Sequence, residues 1–299
     1  MAAIELVAVN KKYGKRPALQ DLHLTVKEGE MFGFLGPNGA GKTTTLRLLL
    51  GLLRPDSGQV YVLGQAAGLS MARTRLGFLP DLARIDGGFR GQEWLDYLAA
   101  LQPFALDPAY REQLCERLEL AQADRQRRIK TYSRGMRQKL AIIQALQHRP
   151  DLILMDEPTE GLDPLAKRAL FELLRTAQAE GATVFFSSHV LSEVERLCDR
   201  VALIKGGRLA AVDSITALRD RQTRRVEIAF AGQPEPEAEL QALAKRAGGA
   251  ASREGERWRL TLKGDLNPLL ALLANYPVKD LVIEPADLED IFLSYYSAM

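Results

Sequence analysis

Between positions 36 and 43 the chain reads Gly36-Pro37-Asn38-Gly39-Ala40-Gly41-Lys42-Thr43: a glycine, four residues, a second glycine, then lysine and threonine. Glycines at 39 and 41 let backbone N–H groups turn inward around a phosphate, and a helix beginning at Lys42 adds the positive end of its dipole. Lys42 can bridge terminal phosphates, and Thr43, followed by Thr44, offers a hydroxyl to a divalent cation. A glycine-rich turn that only starts a helix is the plain alternative. The context favours the phosphate loop, because the apolar run at residues 31–35 predicts a buried strand before it and residues 42–53 predict a helix after it.

A second acidic signal follows. Residues 152–155, Leu-Ile-Leu-Met, predict a buried strand that ends in Asp156 and Glu157. Alternation along a strand points neighbouring carboxylates in different directions, so the two can take different roles. Asp156 can hold Mg2+, directly or through water, and Glu157 can accept a proton from a water attacking a terminal phosphate. Read alone, the pair is an acidic strand end before Pro158; beside a phosphate loop it predicts hydrolysis.

With these motifs in place, the chain resembles an ATP-binding cassette (ABC) ATPase, and the matching motifs run in family order from Tyr13 to His189. Tyr132-Ser133-Arg134-Gly135-Met136 resembles the family signature, commonly Leu-Ser-Gly-Gly-Gln, with three substitutions. By itself that segment is a serine-capped helix start whose amino end could face phosphate. The resemblance implies that Ser133 and Gly135 act on nucleotide held by an opposite subunit, so that two cassettes sandwich two ATP molecules. Gly161-Leu162-Asp163 resembles the loop crossing that interface, with Glu160 where a small residue is common. His189 matches the switch histidine expected at the γ-phosphate, and Tyr13 the aromatic that stacks on adenine; unsupported, each would be an ordinary strand or strand-end residue. One departure stands out: Asp81, after Phe78-Leu79-Pro80, occupies the place of a glutamine that reaches Mg2+ and couples to the membrane subunit. A carboxylate there adds negative charge beside triphosphate and donates no hydrogen bond.

The elements that must position these groups alternate strand and helix, with a helix after Ser133 to about residue 147, another over residues 164–179 and a strand over 183–186, which predicts an α/β fold with a parallel sheet. Residues 4–9 and 22–26 predict a β-rich start, and residues 91–120 a helical insertion. The expected organisation is a P-loop nucleotide-binding domain over residues 1–220, with a helical subdomain at about 83–147, and a small α+β accessory domain over 221–299. In the latter, residues 226–230, 258–262 and 281–283 predict strands, and an amphipathic helix is expected near the carboxyl end, with Leu288, Ile291, Phe292 and Tyr295 on one face. That end resembles exporter cassettes paired with separate permeases.

Composition narrows the partners. Forty basic and 38 acidic residues leave a net charge of only +2, which gives no nucleic-acid stripe. The basic cluster Arg125, Arg127, Arg128 and Lys130 reads as a solvated face. Cys115 and Cys198, the only two cysteines, fit buried thiols in a reducing compartment. No apolar run approaches the ~20 residues of a membrane span, and no leader pattern is expected.

Three machines share these motifs. The 91 positions from Lys42 to Ser133 leave no room for the long coiled coil of chromosome and DNA-repair ATPases, and a single phosphate loop argues against two-cassette translation factors. The resemblance therefore implies a transporter ATPase using ATP and Mg2+, acting as a homodimer with integral membrane permease subunits received in a groove at residues 81–102. It would be cytoplasmic, peripheral on the inner membrane face, and export is the expected direction. A soluble relative acting on ribosome or DNA is the alternative.

Overall fold

The computed structural model describes residues 1–69, 74–81, 85–220, 223–232 and 235–284. The carboxy-terminal helix expected around Leu288 to Tyr295 lies outside the described residues. Two compact units divide the chain, Met1–Val212 and Asp213–Met299; the expected boundary at 220/221 stands eight residues further along.

In the first unit the strands are β1 (Ala2–Tyr13), β2 (Arg16–Lys27), β3 (Met31–Leu35), β4 (Ser57–Val62), β5 (Gln65–Ala66), β6 (Leu76–Leu79), β7 (Leu152–Asp156), β8 (Thr183–Ser188), β9 (Arg200–Lys205) and β10 (Arg208–Ser214). They build a four-stranded sheet in the order β2-β1-β4-β5 and a six-stranded sheet in the order β10-β9-β3-β8-β7-β6. The pairs β9/β3, β3/β8, β8/β7 and β7/β6 are parallel. Strands β3, β7 and β8 are buried along their whole length, which is why they read as continuous apolar runs instead of alternating ones. Side chains of both sheets, including Ile4, Leu24, Phe32, Phe34, Leu154 and Phe185, share one core.

Parallel register decides where the chemistry falls. Leu35 pairs with Ser188 and Asp156 with Ser187, so the carboxyl ends of three adjacent strands finish level. That edge is where an open parallel sheet receives ligands.

The expected helical stretch at residues 91–120 is two helices, Gly91–Ala100 and Pro108–Arg117. Pro103 and Pro108 break the run, since proline disfavours helix in the residue before it; Asp107 caps the second helix by accepting the N–H of Ala109 at 2.9 Å. The helix Arg134–Leu146 starts at Ser133, whose Oγ accepts the N–H of Met136 at 3.2 Å.

The second unit holds β11 (Thr223–Phe230), β12 (Ala251–Glu254), β13 (Arg257–Lys263) and β14 (Val278–Glu284), with helices Glu237–Arg246 and Asn267–Leu273 between them. The chain order β-α-β-β-α-β and the sheet order β12-β13-β11-β14 make a split β-α-β sandwich. Val226, Ile228, Trp258 and Leu260 face its core with Leu240 and Leu269, while Arg225, Glu227, Arg259 and Thr261 alternate onto the opposite face.

Candidate nucleotide site

A cleft of about 390 Å³ lies at the carboxyl edge of the large sheet, and it gathers Tyr13, Lys42, Thr43, Asp81, Asp156 and Glu157. Pro37, Asn38, Gly39, Gly41 and Thr44 also line it. Gly36 and Ala40 support the loop from behind. The Gly36 carbonyl accepts Lys42 Nζ at 2.6 Å, and Ala40 donates to Pro37 O at 3.1 Å while accepting from Gly207 at 2.9 Å. Gly39, at φ +80°, has nothing within 4 Å of where a Cβ would stand, so its backbone is open to a phosphate.

Asp156 is 2% exposed and fully engaged. Its Oδ2 accepts Thr43 Oγ at 2.8 Å, and its Oδ1 accepts Ser187 Oγ at 2.6 Å. Ser187 was not singled out from sequence; two serines ending a buried strand, Ser187-Ser188, were the available signal, because buried hydroxyls need partners.

Glu157 leaves the strand in a left-handed conformation, φ +48°. The different directions of Asp156 and Glu157 therefore come from this turn and not from strand alternation, and a non-glycine residue held there carries of order 1 kcal/mol of strain. Its Oε2 receives His189 Nδ1 at 2.9 Å and the His189 backbone N–H at 3.3 Å. Its Oε1 lies 3.1 Å from Lys42 Nζ as an ion pair off hydrogen-bond geometry, and has no hydrogen-bond donor. One carboxylate oxygen is thus anchored by His189 and the other stands beside the Lys42 ammonium.

Asp81 follows β6 and carries a buried Oδ1 with no hydrogen-bond partner. Burial, then a hydrogen bond with Glu160 and the charges of Glu160, Asp156 and Glu157, push its carboxyl above the usual range. Glu160 is held below its own ordinary value, chiefly by the Arg134 guanidinium that it pairs with.

Among the described residues, no group of three or more His, Cys, Asp and Glu side chains is placed to hold a metal by itself. The donor set still fits Mg2+: Thr43, Asp156 and Asp81 are hard oxygen donors lining the same cleft, and triphosphate oxygens would complete the shell. A nucleoside triphosphate fits the loop for the reasons given at Gly39 and Lys42.

Ser133, Gly135 and Asp163 stand outside the cleft, and His189 does not line it but reaches it through Glu157. Ser133 and Asp163 are exposed helix caps, and Gly135 packs toward the carbonyl of Gly161. Arg16 is a lining residue that sequence reading missed; it pairs with Tyr13 across the tight turn at Gly14-Lys15, and a cation flanking a candidate base-stacking aromatic was the signal. The basic cluster is corrected at Arg125, which is 4% exposed and donates to Glu112 at 2.5 Å and to Gln92 at 3.1 Å. It braces the helical insertion instead of facing solvent, because a buried guanidinium must be paired.

A phosphate loop on the edge of a parallel sheet, a threonine and aspartate pair, and a glutamate set between a histidine and the loop lysine define a P-loop nucleoside triphosphatase. The chain belongs to the ABC transporter family, as the ATP-binding subunit, and is an ATPase. The family model for ABC transporters matches residues 19–160. The Nod factor export ATP-binding protein I of Burkholderia orbicola is 37% identical over 301 residues, covering 98% of this chain and 96% of that protein. An uncharacterized ABC transporter ATP-binding protein of Nostoc sp. is 41% identical over 208 residues, and the match spans 69% of this chain but only 62% of that protein's length. Among solved structures, an ATP-binding subunit of an ABC transporter superposes with a TM-score of 0.67 at 30% identity, covering 73% of this chain and 92% of that one. A dimeric cassette in a post-hydrolysis state bound to ADP and Pi gives 0.65 at 25% identity, covering 71% and 98%. Among the described residues no helix is long and apolar enough to cross a membrane.

Proposed function

We propose that this chain hydrolyses Mg-ATP with Glu157 as the base, and that two copies acting on separately encoded permease subunits drive export from the cytoplasmic face of a membrane. The observation that carries the chemistry is the asymmetric environment of Glu157. Its Oε2 is held by His189, while Oε1 lacks a donor and faces the Lys42 ammonium.

A water donating to Oε1 is turned with its lone pair away from the carboxylate; Glu157 takes the proton as the water attacks the γ-phosphorus, the bond from phosphorus to the β–γ bridging oxygen breaks, and ADP and inorganic phosphate are the products. Lys42 and the N–H groups of residues 39–43 bear the charge that grows on the phosphate oxygens. Thr43 and Asp156, with Asp81 in the same cleft, would hold Mg2+, which would supply neutralising charge to the triphosphate. Tyr13 stacks on the base.

Ser133, Gly135 and Asp163 take their roles in the dimer. Ser133 and Asp163 are exposed, Gly135 is half-buried, and all three stand outside their own cleft, which suits residues that complete the site of the other copy. Dimeric cassettes among the structural relatives support that assembly. The exporter direction is supported by relatives named for Nod factor export that match almost end to end. For the permease groove, Phe89, Trp94 and Tyr97 pack with ring centroids 5.6–6.0 Å apart, and Tyr97 and Leu101 remain exposed.

The test is purification of the chain with any membrane protein encoded beside it, comparing ATPase activity with that of the chain alone. Stable association and stimulated hydrolysis are expected. Association with ribosomes or DNA and no membrane partner would overturn the transporter reading.

A further inference from the structure

The loop after Glu157 and the loop carrying His189 meet at one buried side chain that the ATPase chemistry has not used. Glu193 sits on the helix Leu191–Leu197 and is 7% exposed. Its Oε2 accepts Thr159 Oγ at 2.6 Å and Ser188 Oγ at 3.4 Å, and its Oε1 accepts Lys167 Nζ at 2.9 Å. Thr159 stands two residues after Glu157, and Ser188 immediately precedes His189. Ser188 also spans the histidine, because its Oγ accepts the N–H of Val190 at 2.9 Å.

We propose that Glu193 is a positioning residue: its single Oε2 sets the spacing between the Glu157 loop and the His189 loop, and so the alignment of the Glu157 carboxylate that the proposed hydrolysis needs. The inference rests on that reading of Glu157. A buried carboxylate is costly without partners, and here the compensation comes from the hydroxyls of the two site loops and from Lys167 on the helix Pro164–Ala179. The arrangement locks elements that chain connectivity leaves 32 residues apart, Glu157 and His189, through one shared acceptor. Misplacement of a reacting group by about 1 Å costs on the order of a hundredfold in rate, so the spacing has kinetic weight even though Glu193 does not line the cleft.

The experiment uses the full chain as five proteins: the parent, Glu193→Ala, Thr159→Val, the double variant, and Glu193→Gln as the conservative control. ATP affinity is titrated without Mg2+, and kcat and KM are measured with it. Glu193→Ala is expected to lower kcat by about tenfold or more while ATP affinity stays within about twofold, and Gln, which keeps an acceptor, to recover part of the loss. Residues sharing one interaction are non-additive, so Thr159→Val should lower kcat and the double variant should lose no more than Glu193→Ala. Unchanged kcat, parallel loss of affinity and kcat, or multiplicative losses in the double variant would overturn the proposal. Should Glu193→Ala not fold, Thr159→Val and Glu193→Gln decide by the same kcat and affinity split. A parent chain whose hydrolysis survives Glu157→Gln would instead defeat the reading of Glu157.

Discussion

Glu157 Oε2 receives both the ring Nδ1 and the backbone N–H of His189, at 2.9 and 3.3 Å. A carboxylate has no proton to give, so the contact assigns the Nδ1–H form to the imidazole. The ring therefore holds the proposed base, a role additional to the expected γ-phosphate contact.

Replacing His189 with alanine removes the ring anchor but keeps the backbone one. Hydrolysis is expected to fall about 10- to 100-fold, at or below the low end of what general acid–base catalysis contributes because the backbone anchor remains, with ATP affinity changed far less. Single-turnover kinetics alongside equilibrium nucleotide binding separates the two.

Asp81 brings a further negative group to a cleft already containing Asp156 and Glu157. Asp81→Asn should tighten Mg2+-free ATP binding at pH 8 by about fivefold, corresponding to roughly 1 kcal/mol of relieved repulsion between partly solvated charges. A titration that shows weaker binding would mean that the carboxylate is needed where it stands.

Gly41 adopts φ +116°, and a Cβ there would lie 2.9 Å from the Ala18 carbonyl and 2.7 Å from Leu19 Cδ2. Gly41→Ala is expected to cost about 1–3 kcal/mol through the forbidden conformation alone, and to abolish ATP binding as the loop opens. Thermal unfolding and nucleotide titration on the same preparation check both.

His148 is buried, and burial pushes its imidazole below the ordinary value of 6.5 despite the hydrogen bond to the Leu76 carbonyl at 2.9 Å. The unfolded chain then binds more protons than the folded one as pH falls through 6.5, so its contribution to stability is complete above that value and declines below it. Denaturant unfolding between pH 7.5 and 5 should show the decline, and His148→Gln should flatten it.

Several features were legible from sequence because they depend on local covalent pattern. The phosphate loop follows from glycine spacing, the buried strands 152–155 and 183–186 from continuous apolar runs, and the α/β class from strand and helix alternation. The acidic pair at 156 and 157 was recognisable from its place after a buried run. The helix breaks at Pro103 and Pro108 are local too, and the helical periodicity of residues 91–120 masked them.

Only the tertiary structure decided what those groups do to one another. Parallel register brings Leu35, Asp156 and Ser188 level, giving Asp156 a second partner in Ser187. The left-handed turn at Glu157 separates the two carboxylates, and the folding of residues 188–193 back onto the loop at 157–160 makes Glu193 their common acceptor. Sequence specifies which side chains carry oxygen, nitrogen and charge, and where the backbone can turn. Contacts across 32 to 113 residues depend on how the strands stack, and that is set by burial of the whole core, so no local pattern could supply them.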